Sequence, residues 1–184
     1  MSNYLTEDEI QNIGFKSYGT NILISKDTKF YNPNNITLGN NIRIDDFCLI
    51  SAGKEKELII DDYIHIAAGC YIYGAGGLHI KSYTAISSGC KIYTITDDFS
   101  GHYYPTLPTI PDHAKNVKYD KIIIDKYVII GTNSVILPGC IINEGVSIGA
   151  CSLVNKNCDS WSIYVGSPVK FLKFKSKKIL DIKL

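Results

Sequence analysis

The sequence predicts an all-β fold, a triangular parallel β-solenoid, and two observations carry that prediction. From Ile124 onward an Ile or Val recurs at every sixth residue, at Ile124, Ile130, Ile136, Ile142, Ile148 and Val154. Four positions after each comes a small or β-branched residue: Val128, Ser134, Cys140, Val146, Ser152 and Cys158. A period of six fits neither a 3.6-residue helix nor an alternating strand. It fits coils of three short flat faces joined by tight turns. The position after each opening residue is Asp125, Gly131, Asn143, Gly149 or Asn155, with Leu137 the exception. Gly, Asn and Asp tolerate the backbone of a sharp corner. Coils stack at strand spacing, about 4.8 Å, so residues eighteen apart should lie over one another and the opening residues should form one buried column. No single coil can bury its own apolar face, which is why the pattern must repeat.

The remaining elements follow in order along one expected domain. Residues 1–20 form an N-terminal cap, in which Leu5 to Ile13 reads as a short helix. Thr6 and Glu9 have capping-box spacing and Gly14 is a natural stop. This helix is expected to cover the open end of the solenoid. Residues 21–96 make a first solenoid section, with hexads legible at Leu38, Ile44 and Ile50. Ten positions separate Ile50 from Ile60, which predicts a four-residue outward bulge at 54–57. The openers then run Ile60, Ile66, Ile72, Leu78, Thr84 and Cys90, and the rule of eighteen places Asp61, His79 and Asp97 on one corner. Register is lost over 97–121, an extended loop rich in proline and aromatics. Its length and composition predict a structured, functional loop that packs over a neighbouring subunit. A second solenoid section spans 122–160, and 161–184 is a tail made basic by Lys170, Lys173, Lys175, Lys177 and Lys178.

Composition narrows the function. With 184 residues, 45% of them hydrophobic, there is enough chain for one domain with a core. A net charge of +1 gives no support to a nucleic-acid or anionic-membrane role. There is no apolar run long enough to span a bilayer, and the acidic N-terminus lacks a signal region, so a cytoplasmic protein is expected. Cys140 and Cys158 fall on inward positions, and Cys70 and Cys90 lie inside repeat blocks, which reads as buried small hydrophobes rather than disulfides. No Cys-x-x-Cys pair exists, and no metal site is expected.

Sustained over six consecutive blocks, these hexads resemble the hexapeptide-repeat acyltransferases. The resemblance implies a left-handed parallel β-helix, the hand opposite to the usual crossover rule. It also implies homotrimers with each active site between two subunits. With the long loop and the exit segment from Trp161 to Lys170, the likeness to acetyl-coenzyme A-dependent sugar acetyltransferases covers nearly the whole chain. It places Gly131, Gly149, Ala150, Lys156 and Lys170 near acetyl-CoA, although corner glycines are needed for the turn alone. Many members carry a histidine base at the start of the loop, where this chain has Asp97 followed by Asp98. A hydroxyl nucleophile needs such a base. A neutral amine does not, and a carboxylate can orient it.

The Asp-Asp-x-Ser-Gly sequence is similar to members that serve surface-polysaccharide (lipopolysaccharide O-antigen) synthesis. The function implied is N-acetylation of a nucleotide-linked amino-deoxy sugar, for example a dTDP-4-amino-4,6-dideoxyhexose. Asp97 would bind and orient the amine, His65 is a second catalytic candidate, and Asp98, His79 and Ser87 are candidate substrate contacts. Two other readings stand beside it. One is a sugar O-acetyltransferase with His65, His79, His102 or His113 as base; the other is a non-enzymatic β-helix used for assembly or binding.

Overall fold

A computed structural model describes residues 3–107 and 109–183. The chain winds about seven turns of a left-handed parallel β-helix. Its first wall stacks Ser17–Tyr18, Ile36–Leu38, Leu58–Ile60, Leu78–Ile80, Ile122–Ile124 and Ile141–Ile142. The second wall stacks Ile22–Ile24, Ile42–Ile44, Ile64–Ile66, Ala85–Ile86, Ile129–Ile130 and Ser147–Ile148, and ends in the antiparallel hairpin Ser162–Val165 with Lys170–Phe174. The third stacks Lys29–Tyr31, Leu49–Ala52, Tyr71–Gly74, Lys91–Tyr93, Val135–Ile136 and Leu153–Val154.

Alternation along each short strand sends one set of side chains inward. Ile44, Ile60, Ile66, Ile72, Ile80, Ile92, Ile124, Ile130, Ile136 and Val154 are fully buried in one continuous column. Each such side chain contributes about 1.5–3 kcal/mol relative to exposure, which is what closes the prism.

The coil length is not uniform, and this corrects the expected register. Ile124 pairs with Ile142, a spacing of eighteen, as the hexads require. In the earlier coils Ile24 pairs with Ile44 and Ile60 with Ile80, a spacing of twenty. Ile44 pairs with Ile66, a spacing of twenty-two, where residues 54–57 bulge out. Against the eighteen-residue coil of the hexads the bulge adds the expected four residues, two more than the coils on either side. From Leu78 the true inward frame is Ile80, Ile86 and Ile92, and Leu78, Thr84 and Cys90 occupy the secondary inward position. Asp61, His79 and Asp97 do not stack as the predicted column, although His79 Nε2 lies 3.0 Å from Asp61 Oδ1. Asp61 aligns with Lys81 and then Asp125 instead. His79 pairs with Ile59 and Ile123 on the first wall, and Asp97 belongs to the loop.

The cap helix is Glu7–Ile13, with Thr6 as its N-cap, the Thr6–Glu9 capping box formed and Gly14 in the left-handed region. Ile10 packs into the core and the Leu5 amide bonds to Ile24, so the helix closes the first coil. At the edge between the first and second walls, Tyr63, Tyr83 and Tyr127 adopt φ of 58°, 64° and 60°. Bulky residues rarely accept that backbone. Here their rings stack at 5.0 and 5.2 Å, which offsets the strain. All six cysteines are free thiols, and only Cys151 is exposed. Burial raises the Cys140 thiol and pushes Cys158 up to about 12, so neither is a nucleophile near neutral pH.

Candidate active site

Two edges of the prism gather the polar residues that sequence reasoning singled out, and a whole wall separates them. At the edge where the second wall turns into the third, Ser87 stacks with Ala67 below it and Gly131 and Gly149 above. Ser87 gives way to glycine along this column, and Ala150 beside it is exposed. The glycines are fixed by packing. A Cβ on Gly131 would lie 2.5 Å from the Ala150 amide nitrogen, and one on Gly149 would lie 2.7 Å from Val165 Cγ1.

Buried donors hold the column from inside. Thr28 Oγ1 donates to the Asp45 carbonyl at 2.9 Å, Cys48 Sγ to Ala67 at 3.3 Å and Cys70 Sγ to Ser87 at 3.3 Å. Cys90 Sγ donates to Gly131 at 3.2 Å and Ser134 Oγ to Gly149 at 3.0 Å. The inward thiols are thus donors that pin the edge, a role their small size alone did not suggest.

His65 lies on the second wall opposite Ala85, two residues before Ser87. Its Nε2 is 2.8 Å from Asp45 Oδ2, and Arg43 Nε donates to Asp45 Oδ1 at 2.7 Å. Asp45 was not picked out from sequence as a partner of His65. Burial raises the Asp45 pKa, but the hydrogen bonds from His65 and Arg43 outweigh it and hold the carboxyl below its ordinary value. A depressed carboxyl stabilises the fold above its unfolded pKa and loses that contribution as pH falls through the folded one. Asp45→Asn is therefore expected to melt below wild type at pH 7. The gap should close as pH falls below about 4, as followed by thermal melts across a pH series.

The second edge lies where the third wall turns into the first. There Ile95–Thr96 pairs antiparallel with Lys118–Tyr119 to form the stem of the extended loop, and the Asp120 amide bonds to the Thr94 carbonyl. Within the loop Tyr104 bridges Lys115, and Asp112–Ala114 is a 3-10 turn, so the expected order is present. Asp98 Oδ1 accepts from the Ser100 amide at 2.7 Å and from the Ser100 hydroxyl, while Oδ2 accepts from Asn116 at 2.9 Å. These bonds, the Ser100 hydroxyl first, hold Asp98 below the usual carboxylate range. Asp98 thus braces the loop, whereas the half-buried Asp97 carboxylate makes no hydrogen bond or ion pair among the described residues.

The other candidates scatter. Lys156 follows the last third-wall strand on the Asp97 edge, and Lys170 pairs with Val165, whose side chain packs over Gly149. His79 sits on the first wall with its Nε2 3.0 Å from Asp61 Oδ1, away from the predicted union with Asp97. His102 and His113 are exposed on the loop. Among the described residues no group of three or more His, Cys, Asp or Glu gathers to hold a metal, and no helix is long and apolar enough to cross a membrane.

A coiled prism with one glycine-lined edge and one long loop bearing a free carboxylate is the arrangement that the resemblance to β-helix acyltransferases implies, and comparison with known proteins identifies the family. Residues 121–156 match the bacterial transferase hexapeptide family (six repeats). The chain is 43% identical over 179 residues to a dTDP-4-amino-4,6-dideoxy-D-glucose acyltransferase of Escherichia coli, covering 97% of this chain and 92% of that protein. The fold superposes with a TM-score of 0.92 on AntD, an N-acyltransferase from Bacillus cereus solved with dTDP and 3-hydroxybutyryl-CoA. That match is 44% identical and covers 98% of this chain and 94% of that one. An AntD variant solved with dTDP-4-amino-4,6-dideoxyglucose and coenzyme A has the same TM-score and identity. The chain belongs to the hexapeptide-repeat sugar acyltransferases.

Proposed function

We propose that this protein transfers an acyl group from a coenzyme A thioester to the amino group of a nucleotide-linked amino-deoxy sugar, of the dTDP-4-amino-4,6-dideoxyhexose class. The observation that carries this reading is the unpartnered Asp97 carboxylate at the start of the loop, where a histidine base would otherwise stand. The amine lone pair attacks the thioester carbonyl carbon, the C–S bond breaks, and the thiolate that leaves takes the proton the new amide nitrogen gives up. Asp97 accepts a hydrogen bond from the amine and aims it; no strong base is needed for a neutral amine. The similarity to AntD supports the pairing of roles. Variants of that protein bound to substrate or cofactor are substituted at one serine and at one aspartate ten positions further on. Ser87 and Asp97 have the same spacing here, as do Ser88 and Asp98, and of the two aspartates only Asp97 has a free carboxylate among the described residues.

Within one chain the third wall keeps Ser87 and Asp97 apart, so a site using both takes one edge from each of two copies. The reading is therefore a homo-oligomer, a trimer for a prism of this family. The glycine edge of Gly131, Gly149 and Ala150, with Lys170, takes the coenzyme A arm of one subunit, and the Asp97 edge of the next takes the sugar. Lys156 lies on that second edge and would meet the cofactor only across the subunit boundary. A cytoplasmic enzyme of surface-polysaccharide synthesis accommodates these substrates. The His65–Asp45 pair beside Ser87 supports a second reading, acyl transfer to a sugar hydroxyl with His65 as base.

Thiol release with acetyl-CoA or 3-hydroxybutyryl-CoA tests the assignment, using dTDP- and UDP-linked amino sugars against neutral glycosides. An amide product with the amino sugars is expected. Turnover of neutral glycosides alone would move the assignment to the hydroxyl, and silence with every acceptor would remove the enzymatic reading.

A further inference from the structure

The whole-chain charge of +1 averages over two unlike parts. Residues 170–184 hold six lysines, Lys170, Lys173, Lys175, Lys177, Lys178 and Lys183, against the single acid Asp181, so residues 1–169 are net negative. None of the six makes an ion pair among the described residues. Between the lysines stand large apolar side chains that the core does not use: Phe171, Leu172, Phe174, Ile179, Leu180 and Ile182. Apolar residues exposed singly need no explanation, but a cluster of them does. Here they cluster. Lys170–Phe174 is the last strand of the second wall, and all five of its residues are exposed. The Phe171 ring packs edge-on with Tyr164 at 6.0 Å and with Phe174 at 5.0 Å, and Phe174 is 76% exposed. Further on, Ile179, Leu180 and Ile182 join Tyr83 and Tyr127 around an uncharged cavity of about 410 Å³. The transfer chemistry uses none of these apolar residues.

We propose that residues 170–183 form a docking surface for an anionic lipid bilayer, with Leu172 and Phe174 entering the headgroup layer and the lysines around them on lipid phosphates. The proposal does not depend on which acceptor the enzyme uses. Lysine stems lie along apolar surface while their ammonium groups stay in the polar layer, so one segment draws affinity from both. Charge complementarity selects the partner, because each lysine near an anionic leaflet adds to binding. A nucleic acid would answer the charge but leave Leu172, Ile179, Leu180 and Ile182 in water, since aliphatic side chains give bases no ring to stack on. A second copy would cover the apolar residues. Pairing along the open edge of Lys170–Phe174, however, would bring two sets of lysines together. In a cyclic homo-oligomer rotation keeps every copy of the tail at one level along the axis, so all of them can meet one membrane plane.

Flotation of the full chain with vesicles tests this. Wild type should bind vesicles of equal parts phosphatidylcholine and phosphatidylglycerol, bind phosphatidylcholine alone about tenfold or more weakly, and come off the mixture as salt rises. The triple variant Lys173→Gln/Lys177→Gln/Lys178→Gln should weaken binding by about a hundredfold. Leu172→Ser/Phe174→Ser should weaken it by about tenfold or more at unchanged charge. Both sets of residues lie outside the core, and thermal melts check that each variant is folded. KM for acyl-CoA should hold in the triple variant, which separates a lipid role from one at the cofactor. Equal binding to both kinds of vesicle, binding to neither, or wild-type binding by both variants overturns the proposal. So does tighter binding to a DNA duplex than to the anionic vesicles. A lipid-free assembly that shrinks in Leu172→Ser/Phe174→Ser would make this face a contact between copies instead, and a raised KM for acyl-CoA with vesicle binding unchanged would give the lysines to the cofactor.

Discussion

Asp97→Ala should lower kcat/KM for the amino-sugar acceptor by about 10²- to 10³-fold, equivalent to about 2.7–4 kcal/mol of transition-state stabilisation. Asp97→Asn keeps an oxygen acceptor but loses the charge, so it should fall between Ala and wild type. KM for the acyl-CoA should hardly move, because the thioester approaches from the other edge. The melting temperature should not move either, since the carboxylate makes no bond within the chain that its loss could break. Coupled thiol release with both substrates varied reads all of these at once. Full activity in both Asp97 variants, with loss in His65→Asn, would shift the chemistry to the Asp45–His65 pair and favour the hydroxyl acceptor.

The hexads from Ile124 to Val154 made the late coils legible, because there every corner has the same length and eighteen residues close one turn. At one later corner, between Ile72 and Ile80, the same reasoning lost two residues. The cause is a strand geometry that sends alternate residues inward. Leu78 and Ile80 are both fully buried, so a frame starting on either looks equally apolar. The extra residues sit in Gly74, Ala75, Gly76 and Gly77, which read as ordinary corner residues. That miscount explains the failed Asp61–His79–Asp97 column, which depends on which coil lies over which.

The Thr6–Glu9 cap was legible because it is local in sequence. Asp97 was singled out by its position at the loop start, but its distinction from Asp98 was not legible. Two adjacent aspartates look alike until Ser100 and Asn116 are seen to occupy both oxygens of one and neither of the other.

Gly131 and Ala150 are neighbours on the proposed coenzyme A path, and substitution should separate what each is for. A methyl on Gly131 would meet the Ala150 nitrogen at 2.5 Å and Gly149 C and Ile148 O at 2.8 Å. All three are backbone atoms of the next coil, already tied down by the Gly131 amide bond to Ile148 and by Ser134 on the Gly149 carbonyl. They can yield only if two coils spread, so Gly131→Ala should destabilise by about 1–3 kcal/mol or more, lowering Tm by roughly 2–4 °C per kcal/mol in a chain of this size. Ala150 is exposed, and Ala150→Trp sets a bulky side chain over that edge without forcing the coils apart. Its Tm should match wild type while KM for acyl-CoA rises by about tenfold or more. An unchanged KM in Ala150→Trp would place the thioester arm elsewhere. An unchanged Tm in Gly131→Ala would mean the coils are looser than their hydrogen bonds imply, and the glycine would then be available for a direct role at the cofactor.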